Sequence, residues 1–391
     1  HGKQLEARIS APVSAGIEVY RARRGRSDTR DAERGWGEMI VAALQQPFAG
    51  QAMVGAPLFD DYAVQYYSRA GNYAPRLVGN VRREMAADLG GRTLPFIASE
   101  MNVSTAANFA RTELTLDSPE YYGPWGRLAI EAVEAELREI YVFRLTQTAN
   151  LGGGEVKKNG THIIDLQDPL SPITRITKGG AVARLFMRTL AGNRERMEAP
   201  RELPEGMSFL AARDPKTGEV TALVANVSDE GHELELNWSA WAELAGARVE
   251  VHEVSSQAHG GMTDLEALGA DRSLWLKLEP AATLALRILP GAAALSEGRS
   301  YGLEADGRWP VVGEAPAYLR FATVRAESPM ILRVWQDDAD GLPQRLLGHV
   351  VTTGKPQWLR VDGLAAGARL RVETEDGRAA PGWVTAIVPV R

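Results

Sequence analysis

The sequence predicts an α/β chain that turns all-β: a (β/α)8 barrel, or only its second half, over residues 1–200, then two β-sandwiches at 201–292 and 293–391. Three observations predict it. In the N-terminal half, short continuous apolar runs alternate with stretches of helical spacing, the pattern of parallel strands covered on both faces. From about residue 205, short strands separated by turns such as Asp214-Pro-Lys-Thr-Gly take over. Pro290-Gly-Ala-Ala-Ala then interrupts that texture and marks a boundary near 290–297.

The elements follow in order. Ala15 to Tyr20 reads as a strand, and Arg30 to Gln45 as a helix with Trp36, Met39, Ile40, Ala43 and Leu44 on one face. Gln51 to Ala56 is an apolar strand stopped by Pro57, and Tyr62 to Tyr67 is a second such run. Arg76 to Leu89 has Leu77, Val78, Val81, Met85 and Leu89 in helical register. Leu94 to Ala98 is the next buried strand, Ser118 to Arg138 mostly helix, and Ile140 to Leu145 the fourth strand. Four such units make half of an eight-stranded barrel. The first sandwich draws on the runs beginning at Phe209, Val220, His232, Arg248 and Ala282, the second on Ala317 to Val324, Met330 to Gln336, Gln357 to Val361, Arg369 to Thr374 and Trp383 to Val390.

Composition narrows the function classes. A net charge of −6 and a pI of 5.7 argue against a nucleic-acid surface, which needs a clustered basic face; the run Arg21-Ala-Arg-Arg-Gly-Arg reads as a solvated loop. The absence of cysteine excludes disulfides and thiolate zinc sites. His162, His232, His252, His259 and His349 form no i, i+4 pair, so no metal is expected. No run of about 18 apolar residues offers a membrane span. His1-Gly-Lys-Gln-Leu has neither Met nor a cleavage-site pattern, so the chain is expected to start inside a longer polypeptide.

The chemistry concentrates in Leu94-Pro-Phe-Ile-Ala-Ser-Glu-Met-Asn, an apolar strand that breaks off in Ser99-Glu100. In a (β/α)8 barrel, side chains at the C-terminal strand ends project into the cleft. One strand earlier, Val64-Gln-Tyr-Tyr-Ser ends in polar and aromatic groups, and before it Met53-Val-Gly-Ala-Pro ends another. The last strand runs into Phe143-Arg-Leu-Thr-Gln. In isolation, a Glu after an apolar run is most often a solvated strand end, and Tyr66 and Tyr67 serve packing as readily as binding.

The order of strand ends, Gly-Ala-Pro, then Gln-Tyr-Tyr-Ser, then Ser-Glu, resembles strands five to seven of the clan A glycoside hydrolases. The likeness is to the β-xylosidase/α-iduronidase and the β-agarase/porphyranase branches. Lys158-Asn-Gly-Thr-His-Ile-Ile-Asp and the later Lys178-Gly-Gly-Ala-Val-Ala-Arg are similar to the relatives' text after strand eight. The resemblance covers roughly residues 35–290. It implies Glu100 as the nucleophile of a retaining hydrolysis, with Gln65, Tyr66, Tyr67, Asn102 and Gln147 as sugar contacts. It implies a carbohydrate substrate, no cofactor, and an extracellular or periplasmic bacterial protein.

One departure stands out. Relatives end strand four in Asn-Glu, the general acid/base, and no Asn-Glu dipeptide occurs in this chain. The corresponding window, about residues 14–25, holds Glu18 as its one carboxylate, although Arg21-Ala22 falls in the same window. Strands one to three of the family have no counterpart. Either a missing N-terminal segment or a second chain completes the barrel, or the barrel is degraded and the chain binds carbohydrate without cleaving it. A further platform for sugar is offered by Trp309, Trp335, Trp358 or Trp383, each of which also suits a sandwich core.

Overall fold

The computed structural model describes residues 10–14, 60–68, 73–103, 117–142, 164–165, 175–200, 202–292, 308–310, 317–321, 330–338, 340–363, 369–374, 377 and 384–389. The chain divides into two compact units, His1–Thr177 and Lys178–Arg391. The expected elements at 15–20, 30–45 and 51–56, together with Glu18 and Gln147, lie outside the described residues.

The first unit holds a parallel sheet whose spatial order is its chain order: β1 (Ser10–Ser14), β2 (Asp61–Ser68), β3 (Phe96–Val103) and β4 (Leu137–Val142). Helix α1 (Tyr73–Asp88) joins β2 to β3, and α2 (Pro119–Glu134) joins β3 to β4. The two helices pack on each other, as expected when successive right-handed crossovers lie on one face of a sheet. On α1, Val78, Val81 and Met85 recur at helical spacing and are all buried. Gly90 and Gly91 end it at φ 63° and 90°, a left-handed stop that glycine takes without strain. On α2, Pro119 fills the first turn, where its missing N–H costs nothing, and Tyr122, Trp125, Ala129 and Ile130 face inward. Glu136, just past α2, sits at φ 55°; Arg82 of α1 holds it through both its carboxylate, at 2.8 Å, and its carbonyl, at 3.0 Å. A two-residue antiparallel pair, β5 (Ile164–Asp165) with β6 (Arg175–Ile176), completes what is described of this unit.

The second unit opens on α3 (Lys178–Thr189), which lies within the 1–200 expected for the barrel, and its described residues are otherwise mainly β, with one 3-10 turn at Ala242–Leu244. Its strands are β7 (Glu195–Arg196), β8 (Met207–Arg213), β9 (Val220–Asn226), β10 (His232–Asn237), β11 (Arg248–Val254), β12 (His259–Ala267), β13 (Ser273–Leu278) and β14 (Thr283–Leu289). After these come β15 (Arg308–Pro310), β16 (Ala317–Phe321), β17 (Ile331–Asp337), β18 (Pro343–Val351), β19 (Gln357–Val361), β20 (Arg369–Thr374) and β21 (Val384–Pro389). One nine-stranded sheet runs β21-β16-β19-β12-β11-β14-β9-β8-β7. The antiparallel ribbon β10–β13 faces β8, β9, β11 and β14 across a core of Phe209, Val224, Leu236, Val249, Leu276 and Leu286. The four-stranded sheet β15-β20-β17-β18 faces β16 and β19 across Leu319, Phe321, Leu332, Val334 and Leu370.

Two separate sandwiches were expected, with a boundary near 290–297. The structure differs: β12 pairs with β19, Met262 opposite Trp358, so one sheet crosses that line. Side chains reinforce the join. The buried Glu250 of β11 accepts a hydrogen bond from the Tyr318 hydroxyl of β16 at 2.5 Å. The same carboxylate meets Arg360 of β19 and Arg287 of β14, each at 3.4 Å. Arg287 goes on to Glu219 at 2.9 Å, and Glu219 also takes Arg194 at 2.6 Å. Burial pushes the Tyr318 phenol up to about 12, and the acceptor role of Glu250 adds to the rise. Between α3 and the sheet lies His252, whose loss of solvation lowers it to about 4 despite the Glu250 carboxylate. No helix among the described residues is long and apolar enough to cross a membrane.

Candidate active site

The sheet of the first unit has two unlike faces, and side-chain contacts say which is which. Tyr62 lies against Phe96 with ring centroids 5.3 Å apart, and the Arg82 guanidinium of α1 covers the Phe96 ring at 5.3 Å. Two positions beyond Val64, the Tyr66 hydroxyl donates to Glu131 Oε2 of α2 at 3.1 Å. Tyr62, Val64 and Tyr66 therefore face the helices, and by the two-residue alternation of a strand Gln65 faces the other way.

Glu100 joins Gln65 on that other face because of an irregularity in β3. Val64 pairs with Ala98, but Gln65 pairs with Glu100, so Ser99 is an extra residue in the ladder. The β3–β4 ladder skips at the same place, between Ala98 and Met101. Unbroken alternation from Phe96 would turn Glu100 toward the helices with Ala98. The bulge reverses this, as bulges do where a side chain has to be re-aimed. Ser99 Oγ donates to the Val64 carbonyl at 3.1 Å and ties the bulge to β2. Ser99 and Glu100 are the two half-buried positions in an otherwise buried strand.

Glu100 was expected where its strand ends. The structure continues the ladder for three residues beyond it, with Met101 opposite Tyr66, Asn102 opposite Tyr67 and Val103 opposite Ser68. The polar text Ser-Glu-Met-Asn breaks the apolar run without breaking the backbone pairing. Asn102 is fully buried; its Oδ1 accepts from Tyr121 of α2 at 3.1 Å and from the Val103 N–H at 2.7 Å. Burial raises the Tyr121 phenol to about 12, partly offset by its bond to Asn102.

Gln65 and Glu100 are thus brought side by side, and Tyr67 enters the ladder beside Asn102. Tyr66 pairs in the ladder with Met101, and Gln65 with Glu100. Tyr66 is wholly buried on the helix side, a correction that follows from the pleat. Its partner Glu131 was not anticipated. It is 3% exposed and is also held by Arg127 at 3.0 Å. The i, i+4 spacing of Arg127 and Glu131 was the available signal. Among the described residues no cluster of three His, Asp or Glu is placed to hold a metal ion.

No protein-family model matches the sequence, and no curated protein matches it. Solved structures do resemble it. A glucosidase from Croceicoccus marinus is similar with a TM-score of 0.51 at 14% identity, over 72% of this chain and 60% of that one. A family 44 xyloglucanase from Paenibacillus polymyxa has a TM-score of 0.49 at 10% identity, over 73% and 57%. A family 86 β-porphyranase from Bacteroides plebeius has 0.42 at 14%, over 85% and 63%. The chain spans about 60% of the length of the glucosidase it matches. At such identity the likeness is one of fold alone, shared with the glucosidase.

Proposed function

We propose that this chain carries the nucleophile half of a retaining glycoside hydrolase acting on a polysaccharide or oligosaccharide, with Glu100 as nucleophile. The observation that carries the reading is the Ser99 bulge, which turns Glu100 away from the helices to stand beside Gln65. The four parallel strands are read as half of a (β/α)8 barrel with Glu100 on its inner face. Glu100 attacks the anomeric carbon as the bond to the leaving oxygen breaks, and a second carboxyl group gives that oxygen its proton. The same group then takes a proton from water, whose oxygen displaces Glu100 from the anomeric carbon. Retention requires the two carboxyl groups about 5–5.5 Å apart. Glu18 is the candidate within this chain for the second group. Gln65, Tyr67 and Gln147 are read as sugar contacts, Tyr66 as the strut that fixes β2 to α2, and the fully buried Asn102, expected as a contact, as the tie between β3 and Tyr121 of α2. No cofactor enters this chemistry. A polymeric substrate goes with an extracellular or periplasmic site of action.

Trapping tests it. The full-length polypeptide, incubated with activated 2-deoxy-2-fluoro glycosides, should gain one glycosyl mass on the peptide containing Glu100. Glu100→Gln should abolish the label and lower kcat by on the order of 10^4-fold with unchanged circular dichroism. A label on another carboxylate, or near-normal turnover by the variant, removes Glu100 from the mechanism. The missing Asn-Glu dipeptide favours a second reading, a carbohydrate-binding protein on a catalytic scaffold. Under that reading polysaccharide is retained on the protein and no reducing ends are released.

A further inference from the structure

We infer that the outer face of the β10–β13 ribbon is an accessory binding strip for a neutral polysaccharide chain, with Trp275 as its stacking platform. The choice of a sugar as ligand rests on the glycosidase reading above. On β13, Leu274, Leu276 and Leu278 point into the core, and the alternation sends Trp275 outward, where it is 66% exposed. No other large exposed hydrophobic side chain among the described residues lies on this ribbon. The neighbours on the same face are polar. Glu235 is directly opposite Trp275, Glu233 is opposite Lys277, and Asn237 is opposite Ser273, with its Nδ2 donating to Ser273 Oγ at 3.2 Å. These three residue pairs line a straight strip roughly 13 Å long, from the rise per residue of a strand.

The chemistry selects the ligand. A pyranose offers an apolar C–H face to an indole ring while its hydroxyls reach sideways, and here a carboxylate, an ammonium and an amide flank the ring. A protein partner needs a contiguous apolar centre, which one isolated Trp does not supply. A polyanion is disfavoured, because Glu233 and Glu235 outnumber Lys277 on the strip. The tryptophans that the sequence offered as platforms are engaged otherwise where they are described: Trp335 Nε1 donates to Glu373 at 2.7 Å, and Trp358 lies under Arg320 at 5.8 Å.

The test is affinity electrophoresis of the full-length polypeptide in native gels containing xylan, xyloglucan, hydroxyethylcellulose or agarose. Glu100→Gln is the background, so that the polymer survives. At least one polymer should retard it. Adding Trp275→Ala should weaken the apparent affinity about tenfold or more, whereas Trp275→Phe, which keeps an aromatic face, should keep part of it. Retardation untouched by Trp275→Ala, or retardation by none of the four polymers, overturns the inference. A change of oligomeric state on gel filtration of Trp275→Ala also overturns it, in favour of a contact between copies. Polymer hydrolysis by the Glu100→Gln background would instead refute the nucleophile assignment, and the Trp275 comparison would still be read from retardation.

Discussion

Glu250→Ala should be among the most damaging single changes in the second unit. The carboxylate is 3% exposed and is approached by Tyr318, Arg287 and Arg360. Behind Tyr318 stands Arg248, itself 6% exposed, with its guanidinium 5.4 Å from the Tyr318 ring centre and its Nη1 3.2 Å from the hydroxyl. Truncation removes the carboxylate these groups share, leaving Arg287 with Glu219 at 2.9 Å and Arg360 with Asp362 at 3.0 Å. Breaking a buried pair from one side costs about 3–5 kcal/mol. Arg287 and Arg360 keep 38% and 30% of their side chains in water and recover some solvation, which favours the low end, about 3 kcal/mol. For a unit of this size each kcal/mol lowers Tm by roughly 2–4 °C, so the variant should melt about 6–12 °C lower. Differential scanning calorimetry of the full-length polypeptide, beside a Glu250→Gln control that keeps one acceptor oxygen, measures it. A fall under about 2 °C for Glu250→Ala would refute the view that this carboxylate ties the sheet together.

Two other outcomes are expected. His252 is held near 4 in the folded chain against 6.5 ordinarily, so it is neutral in both states above about pH 6.5. As pH falls from there toward 4 only the unfolded chain takes the proton; stability should drop by about 3 kcal/mol across that window and level off below it. Urea titrations at several pH values should show this slope in the native chain and its loss in His252→Gln. Gly260 sits at φ 79°, where an added methyl would meet Ala181 of α3 at 3.0 Å. Gly260→Ala should therefore cost about 2–4 kcal/mol, from left-handed backbone strain plus overpacking under α3, and an unchanged melting curve would show that the helix gives way freely.

In the first unit part of what is described was legible, and β1 (Ser10–Ser14) was not. The run Tyr62 to Tyr67 and the spaced apolar residues of 76–89 announce β2 and α1, because apolar continuity and helical spacing are local properties. Which face Tyr66 occupies was not legible, since a strand apolar on both sides has no alternation to read. Nor was the Ser99 bulge, which exists only in the register between chains and has no composition of its own. It decides the site, because a shift of one residue exchanges the two faces. In the second unit β12 was hidden by Gly260-Gly261 and by Asp264 and Glu266, residues that depress strand propensity. β13 was missed although Ser-Leu-Trp-Leu-Lys-Leu alternates regularly. The pairing of β12 with β19 depends on residues too far apart for any local pattern to disclose.

That distance has a consequence for how the chain is made. Arg360 meets Glu250 across 110 residues, and Lys355 meets Glu253 across 102. A ribosome adding about 5–20 residues per second needs about 5–20 s to deliver the later partners after the earlier ones emerge. Throughout that interval the outer edge of β12 lacks β19, Glu253 lacks Lys355, and Glu250 has Arg287 of β14 but lacks Arg360. An open strand edge is a template for the wrong chain. The crowding of polysomes, where identical nascent chains lie close together, is therefore the setting in which this protein is most exposed to mispairing, and slower synthesis would lengthen the exposure.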